Sequence, residues 1–289
     1  MYQTNSLRFE FQAGKGSFDS AGNTKISISD VKAIADVEYT GNYGGYRADV
    51  TIYGLGQDLI AMLSAKGIGP YTNTDLLISM DIYANETLIF SGSIYACYAN
   101  MNTVPEAGLV INAVAGLDLM RASTKPYSVK GSTPVVDILS SICTPNGYNV
   151  ETYGISGYSG SNSYFVGSPL EQVRQVCMHF DFQMAISGKT VTVWKRSEGI
   201  NTVIAEVSPE NGLIGYPVFT QAGIMYQTTF SPYLAQGQQV KLTTSLPNAT
   251  GTYLNFAVRH RLSSWVKQGP WISVCQASKI YEGKNNGSN

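Results

Sequence analysis

Charge is scarce in this sequence. Lysine, arginine, aspartate and glutamate make up 13% of its 289 residues, about half the roughly 25% of an ordinary soluble domain. A surface with so few charges suits a protein whose faces are covered by partners or one that works outside a cytosol. The 19 basic and 20 acidic residues nearly cancel, which excludes a domain that grips nucleic acid through a general positive field. Cysteine is limited to Cys97, Cys143, Cys177 and Cys275, widely spaced and without a C-x-x-C pair, so neither a zinc knuckle nor a dense disulfide frame is encoded and buried free thiols are expected. No stretch reaches the roughly 18 apolar residues of a membrane span. The first residues, MYQTNSLRFEFQAGKG, lack a basic region followed by an apolar one, so the expected product is made in the cytoplasm and soluble.

Signals for catalysis are equally thin. Histidine occurs twice: His179 late in an expected helix and His260 between Arg259 and Arg261 in an expected strand, both read as structural. His179-Phe180-Asp181 offers two metal ligands without a third. The nucleophile turn G-x-S-x-G is absent, and GKGS at residues 14–17 lacks the spacing that lets backbone amides surround a phosphate. Nothing selects a pair of carboxylates for glycoside cleavage. The expectation is a protein that is not an enzyme, with no catalytic, cofactor-binding or metal-binding residues.

What the sequence does have is alternation. KISISDV, ADVEYT, YRADVTIYG, DLLISMDIYA and ETLIFSGSIYACYA alternate apolar and polar residues as half-buried strands do, separated by turn residues. LVINAVAGL reads as a further strand. One helix interrupts them at residues 57–66 (QDLIAMLSAK), with Gly67 as its stop. The middle changes period. Thr133-Pro134 is expected to cap a helix running to about Cys143, ended at Asn146-Gly147. Ser168-Pro169-Leu170-Glu171 is a capping box opening a second helix. FQMAI and TVTVWK follow as a hairpin, and residues 153–163 (YGISGYSGSNS) read as a mobile loop. The last third returns to strands: VIAEVS, YPVFTQ, GIMYQTTFS, QQVKLTTS, GTYLNFAVRHRLSS and GPWISVCQASKIY. The expected fold class is α+β, mainly β, with two small β-barrel-like modules flanking a compact α/β insert: residues 1–122, 123–200 and 201–289.

Charge is also uneven along the chain. Residues 1–210 hold 13 basic and 19 acidic residues, whereas residues 211–281 carry Lys241, Arg259, Arg261, Lys267 and Lys279 and no acid. These five are the candidate assembly surface, a basic end meeting an acidic partner or facing a lumen. Arg259→Glu with Arg261→Glu is expected to impair assembly more than folding. A solvated charge bias without consequence is the plainer reading.

Several phrases carry a resemblance. NGLIGYP (211–217), FTQAGIMYQTTFSPYLAQGQQVKL (219–242), VRHRLSS (258–264), YRADVTIYGLGQDLIAMLS (46–64) and LIFSGSI (88–94) resemble the baseplate hub proteins of contractile-tailed bacteriophages, the group of the Mu-type hub and late control protein D. These are degenerate hydrophobic patterns without a catalytic signature, although the order of elements agrees over nearly the whole chain. The resemblance implies a homotrimer in which the two barrels of each chain alternate around a ring. Such a ring joins a six-fold tail tube to a three-fold central spike, contacts baseplate wedge proteins, and lets genomic DNA pass through its lumen during ejection. It also implies no cofactor, and a place in the virion after assembly in the host cytoplasm. A β-rich carbohydrate-binding or adhesin module, or a β-scaffold glycosidase or peptidase, remains open.

Overall fold

The computed structural model describes residues 5–39, 45–67, 77–100, 102 and 107–280. The first third comprises β1 (Leu7–Ala13), β2 (Lys25–Ile28), β3 (Ala33–Tyr39), β4 (Arg47–Tyr53), α1 (Gln57–Gly67), β5 (Ile78–Ala84), β6 (Thr87–Asn100) and β7 (Gly108–Val114). Alternation dictates their faces. In β1, Leu7, Phe9, Phe11 and Ala13 are buried while Arg8, Glu10 and Gln12 turn outward, because successive strand side chains point to opposite sides. β6 is long enough to serve two ladders. Its first half pairs with β5 as far as Ser93 and its second half with β7, the register slipping at Tyr95, and such a bulge re-aims a strand. The expected turn at Asn85-Glu86 joins β5 to β6 with both residues at positive φ, the conformation of a tight hairpin.

The middle third holds α2 (Leu117–Arg121), β8 (Tyr127–Ser128), β9 (Ser132–Pro134), α3 (Val135–Cys143), β10 (Asn149–Tyr153), β11 (Ser159–Ser161), β12 (Tyr164–Phe165), α4 (Pro169–His179), β13 (Phe182–Ser187) and β14 (Thr190–Lys195). β14 pairs antiparallel with β13 and parallel with β10. α3 and α4 lie on this sheet and enclose a core of its own, including Ile138, Leu139, Val173, Phe182 and Val193. The N-cap half of the expected capping box forms, the Ser168 hydroxyl accepting from the Glu171 amide at 3.3 Å, while the Glu171 carboxylate pairs with Arg174 instead of reaching back. The other cap is corrected: Pro134 occupies the N-cap position with no side-chain hydrogen bond, and Thr133 belongs to β9, paired with Gly160. That pairing involves the expected loop at residues 153–163, where Ile155 is buried and Tyr158 packs edge-on against Phe182.

The last third comprises β15 (Ile200–Val207), β16 (Leu213–Thr220), β17 (Gly223–Thr229), β18 (Gln238–Leu242), β19 (Gly251–Ser264) and β20 (Trp271–Lys279). Its strands do not form a second closed barrel, and neither do those of the first third. β19 pairs antiparallel with β3 from Val258 opposite Tyr39 to Ser264 opposite Ala33, so both thirds belong to one open sheet ordered β16-β17-β20-β19-β3-β4-β7-β6-β5-β1-β2, with β18 and β15 branching from β19. A barrel needs its last strand to pair with its first. Here the edge of β3 is given to β19, and one hydrophobic core runs from Phe9 and Val50 to Tyr226 and Cys275.

Candidate assembly surface

The five basic residues singled out by their acid-free segment do not gather into one patch. Lys241 and Lys279 flank the start of β19, opposite Thr252 and Tyr253. Arg259 and Arg261 lie in the middle of the seam, and Lys267 is exposed beyond the far end of β19. At about 3.3 Å per strand residue, the first and last of these sites are tens of ångströms apart. Acids from earlier in the chain come to meet three of them. Lys241 Nζ lies 3.2 Å from Glu206 Oε1. Arg259 donates from Nε to Asp36 Oδ1 at 2.6 Å and from Nη2 to Asp36 Oδ2 at 2.5 Å, and Arg261 Nε is 4.0 Å from the same carboxylate.

Strand register explains why Asp36 needs them. It stands directly opposite Asp49, a like-charge pair that opposes sheet formation. Arg259 draws Asp36 to one side, and Asn112 Nδ2 donates to Asp49 Oδ1 at 2.5 Å on the other. Asp36 foremost, with Glu38 and Asp49 behind it, holds the Arg259 guanidinium above its ordinary pKa against the opposing effect of burial. Arg259 and Arg261 therefore tie the two β halves together as well as facing outward. Arg259→Asp should lower stability, and adding Asp36→Arg should restore about 0.5 kcal/mol, the scale of a half-exposed ion pair. Urea titrations of both singles and the double would measure that coupling, and strict additivity would refute it.

Apolar side chains make the more conspicuous surface. In β16, Ile214, Tyr216, Val218 and Phe219 are 40%, 70%, 54% and 56% exposed. The strand pairs with β17 at Leu213 and Ile214, loses register through residues 215–217, and resumes at Val218. Gly215, at φ +66, and Pro217, which has no amide hydrogen to donate, sit in that break. The sequence marked YPVFTQ as a strand but carried no sign that so much of β16 would be left exposed. Elsewhere in the sheet, Tyr95 and Tyr98 of β6 are 45% and 51% exposed. Beside them Gln57, Ile60, Ala61 and Ser64 of α1 and Cys97, Tyr98 and Ala99 of β6 enclose a groove of about 380 Å³, where the buried Ser64 hydroxyl has no hydrogen-bond partner.

The titratable groups with other chemistry are embedded elsewhere. The four cysteines are free and buried, and burial pushes the thiols of Cys97 and Cys143 up to about 11 and about 12, far from the thiolate form that reacts. His179 is exposed and stands edge-on to Phe180, whereas His260 is buried. Among the described residues, no helix is long and apolar enough to cross a membrane.

Comparison with known proteins agrees with this architecture. Residues 70–271 match the family model described as baseplate hub gp41. No curated protein matches the chain. Among solved structures, the 43 kDa tail protein of prophage MuSo2 from Shewanella oneidensis is similar in fold at a TM-score of 0.61 and 8% identity, over 95% of this chain and 97% of that one. The tail protein from Neisseria meningitidis MC58 aligns at 0.63 and 8% identity, over 96% and 97%. The E. coli c3393 protein, a component of the type VI secretion system with structural similarity to the T4 tail proteins gp27 and gp5, aligns at 0.59 and 12% identity, over 88% and 74%. The family match extends over more than half of the chain, and on that ground the protein belongs to the baseplate hub gp41 family and is a structural component of a phage tail baseplate.

Proposed function

We propose that three copies of this protein close a ring at the axis of the tail, joining a six-fold tail tube to a three-fold central spike and forming part of the channel for genomic DNA. The observation that carries this reading is the seam between β3 and β19. It sets four strands, β3-β4-β7-β6, beside four others, β19-β20-β17-β16, within one sheet of one chain. Each chain thus presents two β halves side by side, so three chains present six, which is the match a trimer needs to meet a hexameric tube. Each half is treated as its own unit, residues 1–122 and 201–289, with residues 123–200 as the insert between them.

Electrostatics supports the channel part of the reading. A wall that bound phosphates would hold the DNA, since each neutralised phosphate adds salt-dependent affinity. Here Arg8 is bonded to Glu86, Arg259 to Asp36 and Lys241 to Glu206, so much of the positive charge is already matched. The role proposed is structural, without catalysis, in a virion assembled in the host cytoplasm. Light scattering on the purified chain should give three times 31.2 kDa, and negative-stain images should show a ring with a central opening. Antibody labelling of tails should place the chain at the baseplate. A monomer that also fails to label tails would shift the reading to the carbohydrate-binding module, for which a glycan screen is the next measurement.

A further inference from the structure

Buried polar groups of a folded protein are nearly always paired, and the exceptions here gather in one place. Among the described residues, four side-chain atoms are buried without a hydrogen-bond partner: Ser64 Oγ, Gln236 Nε2, Gln236 Oε1 and Asn255 Nδ2. Three of the four belong to Gln236 and Asn255, each 1% exposed. The backbone sets these two residues side by side, because Gln236 precedes Gly237, whose amide donates to the Asn255 carbonyl at 2.8 Å.

A bulge in β19 turns Asn255 inward. Tyr253 and Asn255 are buried before it and Val258 and His260 after it, and the register slips between Asn255 and Ala257, so one extra residue resets which side chains face the core. Asn255 Oδ1 accepts from the Tyr226 hydroxyl at 2.9 Å, while Nδ2 has no acceptor. Gln236 arrives on the segment between β17 and β18. Leu234 of that segment lies in the main core, and its backbone is hydrogen-bonded to the His260 ring. Gly237 lies so close to the Trp194 ring that a Cβ there would meet Cε2 at 2.8 Å. The segment is thus pinned on both sides of Gln236, and the Gln236 side chain is enclosed.

We propose that Gln236 and Asn255 hold an internal water molecule between them as an integral part of the fold. The chemistry of the orphaned atoms selects water. Gln236 Nε2 and Asn255 Nδ2 need acceptors, and Gln236 Oε1 needs a donor. A metal cation would serve only the oxygen and an anion only the nitrogens, whereas one water both accepts and donates. A buried water makes about three hydrogen bonds, which matches the three orphaned atoms. Because both side chains are enclosed, this water enters during folding and leaves only when the segment 231–237 opens. It links β19, the strand of the seam, to the segment that packs on Trp194 of the insert. The inference stands apart from the hub reading and needs no second chain.

Two measurements test it. A density map of the purified full-length chain, at a resolution that shows ordered water, should contain a compact peak within about 3.2 Å of both amides. A direct amide-to-amide bond with no peak, or a peak that reaches only one of the two side chains, would overturn the proposal. The second measurement reads a sign. Gln236→Met keeps the length of the side chain and removes both polar atoms. Were the amide dry, that change would relieve two unpaired atoms and raise the melting temperature. With water satisfying them, the variant should instead melt about 2–4 °C lower, the shift that one net hydrogen bond gives in a chain of this size, and should lose the peak. An unchanged or higher melting temperature would overturn the proposal. So would a lower one in a protein whose wild-type map has no peak, since the loss would then be one of packing. Should the variant fail to fold, the wild-type map alone decides.

Discussion

Lowering the pH from 6.5 to about 3 should progressively unfold this protein, and replacing His260 should remove much of that sensitivity. The His260 ring is 1% exposed and sits between Tyr39 and Phe230, edge-on to each at 5.2 Å and 5.0 Å, with Nδ1 2.8 Å from Ser273 Oγ. Burial in this aromatic cage pushes its pKa from 6.5 down to about 3, because a charged imidazolium cannot be solvated there. The unfolded chain takes up a proton below pH 6.5 and the folded chain does not until about pH 3. The stability contributed by the neutral ring is therefore complete above pH 6.5 and lost as pH falls toward 3, by up to about 4–5 kcal/mol. That is a large part of the roughly 5–15 kcal/mol that holds an ordinary domain together.

Carboxylates titrate mainly below about pH 4.5, so the interval from pH 6.5 to pH 5 isolates the histidine. Wild-type stability should fall by about 2 kcal/mol across it. His260→Gln should lose stability outright, from imperfect packing, but should show little slope. The slope of the urea midpoint against pH is the readout, and equal slopes in both proteins would remove His260 from the account. The same residue lies on the strand that pairs with β3, so acid loosens the seam on which the two halves depend.

Gly45→Ala should separate the insert from the sheet. Gly45 bridges Ile186 of β13, and the Tyr46 amide donates to the Ile186 carbonyl at 3.4 Å while the Ala115 amide donates to the Tyr46 carbonyl at 2.8 Å. A Cβ added at Gly45 would lie 1.8 Å from the Ala115 carbonyl oxygen, a backbone atom that cannot swing aside. The substitution should cost about 3 kcal/mol, the upper range of overpacking. The insert holds its own core around Ile138, Val173 and Phe182, so denaturant unfolding should change from one transition to two, followed by tryptophan fluorescence and by far-ultraviolet dichroism together. A single transition at unchanged midpoint would mean that the junction tolerates the methyl group and does not couple the two bodies.

Most elements were legible because their causes are local. Alternation along YRADVTIYG and TVTVWK fixes which side chains a strand can bury, and the capping residues at Ser168 and Glu171 fix where α4 begins. Where the local signal misled, a distant partner had changed its meaning. Thr133 has the chemistry of a helix cap, but the segment around Gly160 draws it into a strand pair. The acid-free run from Lys241 to Lys279 looked like unmatched positive charge, but Asp36 lies 223 residues before Arg259 and the fold brings them into contact.

What the sequence by itself determined about this protein is its class and its reticence: a mainly β chain with few charges, free buried thiols and an α/β segment between two stretches of strands. These follow from composition and from periods of two and 3.6, which each segment carries within itself. Only the tertiary structure decided that β3 would take β19 as its neighbour, that the sheet would stay open, and that β16 would lie at its edge among the described residues. Alternation assigns a face to every strand but names no partner, and an edge is exposed or covered only when all the pairings in the sheet have been made.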